Sequence, residues 1–352
     1  MKKELYILSV VVAFSLLTYY FVEPFAHGVM HPHVESKNFV YDGTSDIQEV
    51  ETKIAKLEKE LAISKADEKT DAKKLEGMQA DISKAQVRLG SKKTFWADVK
   101  RISALKGDTK AGEAMYANCT SCHMQDAPAM GGVTPPSLVN AGATYDRNYL
   151  IALIKDPAMA SNVDHKFSDS RLHPMDSVKY MVSSDEDIIN VVDFMLKTAP
   201  KQETITPKIA FEDTCGRCHN IRYKKWTTIG ETQKFKHKQD TLAFEIKQLD
   251  YQDGLKTYMG KLPPDLSMYI RSRGHHYIST FVEDPQQLLL GTSMPRVGVN
   301  AETAEKVVAY LEEAGDPKKA ERNRVGMYVM IYMVFFILAA FLWKKQVWRD
   351  LH

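Results

Sequence analysis

Two Cys-x-x-Cys-His pentapeptides, Cys119-Thr120-Ser121-Cys122-His123 and Cys215-Gly216-Arg217-Cys218-His219, contain all four cysteines of this 352-residue chain. The pattern is that of covalent haem attachment: two thiols bond the haem vinyls, and the adjacent His ligates the iron from the proximal side. A structural zinc site would need its two cysteine pairs close together. These pairs lie about a hundred residues apart, as in two separate domains. The sequence therefore predicts two covalently bound haem c groups, held by Cys119, Cys122 and His123 and by Cys215, Cys218 and His219.

Haem attachment to cysteine takes place on the oxidising, extracytoplasmic side of a membrane. Two apolar runs, Leu5 to Val22 and Val325 to Trp343, each approach the length of a membrane-spanning helix. Tyr19, Tyr20 and Phe21 stand where a cleaved signal peptide carries small residues, so the first run reads as a retained anchor. Lys2 and Lys3 place the N-terminus in the cytoplasm. Two spans return the chain to its starting side, which puts the haem motifs in the periplasm of a bacterial inner membrane. A net charge of +2 and the absence of zinc-finger spacing or a basic–aromatic stripe give no case for nucleic acid.

The expected organisation is all-α: an anchor at 1–24, a juxtamembrane linker at 25–45, a coiled coil or helical hairpin at 46–92, a first haem domain at 106–200, a second at 207–316, and a C-terminal anchor with cytoplasmic tail at 325–352. His27, Met30, His31 and His33 sit in the linker between Pro24 and Pro32 and read as a polar turn rather than a metal site. In the third segment, Ile47, Ile54 and Leu61, and then Leu75, Ile82 and Leu89, repeat every seven residues. Val50, Leu57, Met78 and Ala85 fill the second seam position. The seam lapses between Ser64 and Lys74, which favours two helices folded back antiparallel over one long helix. Further helices are expected at Thr109–Asn118, Tyr149–Lys155, Asp185–Lys197 and Ala301–Ala314. No motif is legible in the Lys- and Gln-rich stretch between Cys218 and Pro263.

Each haem needs a distal ligand, and methionine suits electron transfer because its thioether favours reduced iron. Met294, in Gly291-Thr292-Ser293-Met294-Pro295, precedes the last helix of its domain and is preferred to Met259 and Met268. In the first domain Met175 is preferred to Met181 and Met159 by its spacing from Asp185, with His165 and His173 as alternatives of lower potential. The chain has no Ser-His-Asp pattern, phosphate loop or telling carboxylate pair. A six-coordinate haem leaves no position for substrate, so no catalytic residue is expected.

The segment Leu262-Pro263-Pro264-Asp265-Leu266-Ser267-Met268-Tyr269-Ile270-Arg271-Ser272-Arg273 resembles the Pro-Pro-Asp-Leu-Ser segment of cytochrome c₁, the haem subunit of quinol–cytochrome c reductase (the bc complex). The order of haem motif, this segment, Met loop and single anchor ending in Lys344-Lys345-Gln346-Val347-Trp348-Arg349-Asp350 is similar too. The resemblance runs from Cys215 to the C-terminus. The first haem domain resembles class I cytochromes c in general, while the N-terminal anchor and the heptad segment have no counterpart in cytochrome c₁. The resemblance implies a dihaem electron-transfer subunit of a dimeric bc complex in the membrane lipid. Its partners are a cytochrome b subunit, a Rieske iron–sulfur protein as donor, and a soluble cytochrome c or terminal oxidase as acceptor. It also implies that Arg271 or Arg273 pairs with a haem propionate. The alternatives are the dihaem subunit of a cbb₃-type oxidase, which the C-terminal anchor and the Pro-Pro segment do not fit, and a free-standing dihaem enzyme.

Overall fold

In a computed structural model, which describes residues 2–22, 25, 39–66, 71–124, 127–167 and 172–349, the chain is helical apart from one two-stranded ribbon. Two units separate at Asn38. The first contains α1 (Lys2–Leu17), prolonged as a π-turn over Thr18–Val22, so that a 20-residue span of apolar side chains faces outward. The His27–His33 cluster lies outside the described residues.

The second unit opens with two helices, α2 (Thr44–Ala66) and α3 (Ala72–Ser103). They pack antiparallel: Val50 and Ile54 meet Ala85, flanked by Leu57 and Leu89, while Lys93 reaches back to Glu51 at 2.9 Å. The hairpin expected from the heptads is therefore present. At the start of α3, Asp71 caps the helix by accepting from the Lys73 amide. Only the base of the seam is fully buried. The second helix runs past the expected boundary at 92, because Phe95, Trp96, Val99 and Ile102 leave the hairpin and enter the main core.

Four helices frame the two haem motifs. Asp108 caps α4 (Thr109–Thr120), whose last turn carries Cys119. Ser184 caps α6 (Asp185–Thr198), whose first turn holds three carboxylates facing the positive end of the helix dipole. The helices α4 and α6 cross at Gly112, where a Cβ would sit 2.0 Å from the Asn190 carbonyl oxygen, so only glycine permits this approach. Between them, α5 (Arg147–Lys155) buries Tyr149, Leu150, Ile151, Ala152 and Ile154. In the second half, Thr206 and Pro207 start α7 (Pro207–Thr214), which delivers Cys215 at its C-cap.

The ribbon β1 (Trp226–Thr227) and β2 (Gly230–Glu231) follows the second motif. The Lys- and Gln-rich stretch then forms a long helix, α8 (Lys238–Met259), which buries Leu255 and Met259 near its end and leaves Leu242, Ile246 and Leu249 exposed. Short helices α9 (Tyr269–Arg273) and α10 (His275–Glu283) lead to α11 (Ala301–Gly315), capped by Asn300 and burying Val307, Val308, Tyr310 and Leu311. The last helix, α12 (Lys319–Trp348), is the second one long and apolar enough to cross a membrane.

One continuous apolar cluster serves both motif-bearing halves. Backbone bonds stitch them together: Tyr145 bridges Val299, the Asp146 amide donates to the Gly298 carbonyl at 2.9 Å, and the Arg296 amide donates to the Ser161 carbonyl at 2.9 Å. The two halves share one core instead of each enclosing its own.

Candidate haem sites

Both pentapeptides close the same local turn. The His123 amide donates to the Cys119 carbonyl at 3.0 Å, and the His219 amide donates to the Cys215 carbonyl at 2.9 Å. Each imidazole then rests its Nδ1 on a proline carbonyl, Pro136 at 2.8 Å and Pro264 at 2.9 Å. An Nδ1–H donated to a carbonyl fixes the tautomer and leaves Nε2 as the metal-binding nitrogen. Burial lowers the pKa of both imidazoles and so keeps them neutral, as ligation requires. The proline carbonyls come from the two Pro-Pro turns, Pro135-Pro136 and Pro263-Pro264. The sequence displays both turns, but their use as acceptors appears only in three dimensions.

A cavity with a mainly apolar wall opens beside the first motif. Cys119, Cys122 and His123 line one side, and Met175 and Met181 also border it. Met175 is half-buried and packed on the core, whereas Met181 is 49% exposed. His173 lines the same space, but both of its ring nitrogens are engaged. The Met175 amide donates to Nδ1 at 3.1 Å, and Nε2 lies 3.3 Å from the Tyr258 hydroxyl. Burial pulls its pKa down to about 4. Met259, from the end of α8, lines the cavity as well.

The second motif is more deeply set. Cys215 and His219 are buried, and burial pushes the Cys215 thiol up to about 11. Such a thiol is a poor redox nucleophile, because the reactive species is the thiolate. No group of three or more His, Cys, Asp or Glu side chains able to hold a metal ion occurs among the described residues, so the two cysteine pairs do not converge on one zinc site. Met294 is half-buried on the loop before α11, and its neighbours Pro295, Arg296 and Val297 line the first cavity together with Arg217 and Cys218. Arg271 and Arg273 are exposed, and the Arg273 guanidinium lies over the Tyr277 ring at 5.5 Å from its centroid. Met268, also exposed, accepts a hydrogen bond at its sulfur from the Tyr223 hydroxyl at 3.1 Å.

Two arginines that the sequence reading passed over are the charged residues of the cavity wall. Arg296 is fully buried, and its NH2 pairs with Asp46 and, at 3.1 Å, with Asp284. Arg217, inside the second motif, lines the cavity beside the first, while its carbonyl accepts from the Tyr251 hydroxyl at 2.9 Å. That hydroxyl also accepts from the Thr134 amide at 3.1 Å, which ties the two motif loops together. Nothing in the sequence marks these arginines, because their partners lie on remote elements.

An all-α body in which two Cys-x-x-Cys-His turns present histidines with Nδ1 already bound suits haem c. Residues 109–199 match the Cytochrome c family and residues 298–351 the Cytochrome C1 family. The chain is similar to the cytochrome c1 of Allochromatium vinosum, 23% identical over 200 residues, covering 40% of this chain and 82% of that protein. A chain of a hyperthermophilic respiratory Complex III aligns over 42% of this chain and 75% of its own length, at 24% identity and a TM-score of 0.34. Residues 298–351 are thus similar to cytochrome c₁, and residues 109–199, ahead of them, to cytochrome c.

Proposed function

We propose that the chain is the dihaem c-type electron-transfer subunit of a quinol–cytochrome c reductase. The observation that carries this reading is the repeated histidine geometry: two motifs, each with Nδ1 held by the carbonyl of a Pro-Pro turn at 2.8 or 2.9 Å. The second of these turns begins the Pro-Pro-Asp-Leu-Ser segment that resembles cytochrome c₁. Bound haem supplies a one-electron iron couple. Cys119 and Cys122 anchor one haem and Cys215 and Cys218 the other. His123 and His219 ligate from the proximal side, with Met175 and Met294 as distal ligands. Arg271 or Arg273, both exposed on α9, is the propionate partner that the cytochrome c₁ resemblance implies for the second haem.

The proposed domains are those of the sequence reading, with the hairpin extended to Ser103. The helices α1 and α12 anchor the chain with its motifs on the periplasmic side. Electrons arrive from a Rieske iron–sulfur protein and leave to a soluble cytochrome c or an oxidase, while quinol binds the cytochrome b subunit of the dimeric complex.

The test is affinity isolation of the tagged chain from its own membrane in mild detergent, with the co-eluting proteins identified. A b-type cytochrome together with a Rieske protein is the expected result. A copper–haem oxidase in their place, or the chain alone, overturns it.

A further inference from the structure

Arg217 has no ion-pair or hydrogen-bond partner for its guanidinium among the described residues, and its Nε is cut off from solvent. Arg296 is wholly buried, and its two carboxylate partners share the single nitrogen NH2. Nε and NH1 are left without an acceptor among the described residues, and the guanidinium plane sits 4.9 Å over the Phe39 ring. Both arginines line the cavity that also exposes Cys119, Cys122 and His123. Both belong to the other motif's half of the chain.

A buried guanidinium is desolvated at a large cost unless acceptors take its donors and an anion balances its charge. For Arg296, Asp46 and Asp284 supply the anions, and its side chain has no surface on the cavity. Arg217 is half-buried, and among the described residues its guanidinium has no acceptor; Asp213, bonded to Asn140, is within electrostatic reach but not in contact. A planar fork of N–H donors matches a carboxylate, often in bidentate fashion. Haem c carries two carboxylates, the propionates, on the edge away from its thioether bonds. The cavity wall is mainly apolar, and Arg217 is the cation on it that lacks a partner, so a haem seated on the first motif would bring its carboxylates toward this side chain.

We infer that Arg217 is a propionate-binding residue of the haem attached at Cys119 and Cys122, so that this site is completed by the half of the chain that carries the other haem. The inference rests on the dihaem reading above and adds to it. It differs from the pairing that the cytochrome c₁ resemblance implies for Arg271 and Arg273, which concerns the second haem. Arg217 supplies the balancing charge.

The test is spectropotentiometry of the purified full chain in detergent, in a Cys122→Ala background. One remaining thioether leaves a vinyl conjugated with the first haem and moves its α band to longer wavelength, so each midpoint potential is assigned by its band. Pyridine haemochrome analysis first counts haem per chain, and a count below two in the wild type fails the dihaem reading itself. With two haems present, Arg217→Gln is expected to weaken reduction of the first haem about tenfold, about 59 mV for a one-electron couple. An uncompensated propionate stabilises the ferric state, hence this direction. Arg217→Lys keeps the charge and restores most of the potential. A first-haem potential unmoved by Arg217→Gln, or a shift confined to the second haem, overturns the inference.

Discussion

The Lys92 ammonium lies 3.1 Å from the Asp46 carboxylate, and neither side chain is reached by solvent (0% and 1% exposed). This pair ties the two hairpin helices together at their base, and the further partners of each residue tie that base to the body. Asp46 also accepts from the Trp96 indole N–H at 3.0 Å and pairs with Arg296, while Lys92 donates to the Asn162 side-chain oxygen at 2.7 Å. Burial alone would raise the Asp46 carboxyl, but Arg296 and Lys92 outweigh it and hold the pKa at about 2. Asp46→Asn leaves two buried cations short of a partner and is expected to cost about 3–5 kcal/mol in denaturant unfolding. The folded pKa lies below the ordinary 3.8, so this stabilisation is complete above that value and is lost as pH falls through it toward 2. Lys93→Met, which removes a half-exposed pair with Glu51, should cost about 0–1 kcal/mol.

Glu283 titrates in the opposite sense. Burial pushes its carboxyl up to about 7, with nearby Glu305 adding to the rise and the Phe39 backbone opposing it. A carboxyl raised in the folded state favours folding while protonated, and that advantage fades as pH climbs from about 4.5 toward 7. Glu283→Gln should therefore raise stability at pH 8 by about 1–3 kcal/mol. The gain should vanish below pH 4.5 in melts recorded across that range. A pH-independent difference would assign the effect to packing.

Gly298 shows how tightly the two halves meet. Its φ is +79°, and a Cβ there would stand 1.9 Å from the ring of Tyr149, whose hydroxyl donates to the Arg296 carbonyl at 3.1 Å. Gly291 has a similar φ of +76° with open space around it. Gly291→Ala pays for the left-handed backbone alone, about 1–2 kcal/mol. Gly298→Ala adds the displacement of a packed ring, a further ~1–3 kcal/mol. Thermal unfolding of the two variants side by side measures that difference.

The haem motifs, the helices begun at Thr109, Asp185 and Ala301, and the hairpin seam are legible in sequence because each is a local pattern with a short period or fixed spacing. Helix α8 is not, since its apolar residues Leu242, Ile246 and Leu249 face outward and only Leu255 and Met259 reach the core. The extension of α3 to Ser103 is hidden for a related reason: Lys92 interrupts the apolar seam, and Phe95, Trp96, Val99 and Ile102 beyond it pack against the body instead of the hairpin partner. Arg217 and Arg296 are invisible in sequence because an arginine between two motif cysteines, or after a Met-Pro, reads as solvated until the fold buries it. Asp46 is the clearest case, since a carboxylate in a Lys- and Glu-rich helix looks like surface and proves to be the anion around which three elements close.

The distal ligands give the last expected outcome. Met175 and Met181 both border the first cavity, so position alone does not separate them, but their environments do. Met175 packs on the core beside Pro174, which itself backs onto Gly131 of the loop after the first motif. Met181 ends a one-turn helix (Val178–Met181) and keeps half its surface in water. An axial thioether must be held in place against exchange, and a packed side chain meets that condition better than a half-solvated one. Methionine bound to ferric haem gives a weak far-red charge-transfer band. Met175→Leu and Met294→Leu should each remove about half of that band and lower one midpoint potential, since the thioether favours reduced iron. Met181→Leu should leave both unchanged. Loss of the band in Met181→Leu would move the first ligand to the exposed turn, and an undiminished band in Met294→Leu would remove Met294 as the ligand of the second haem.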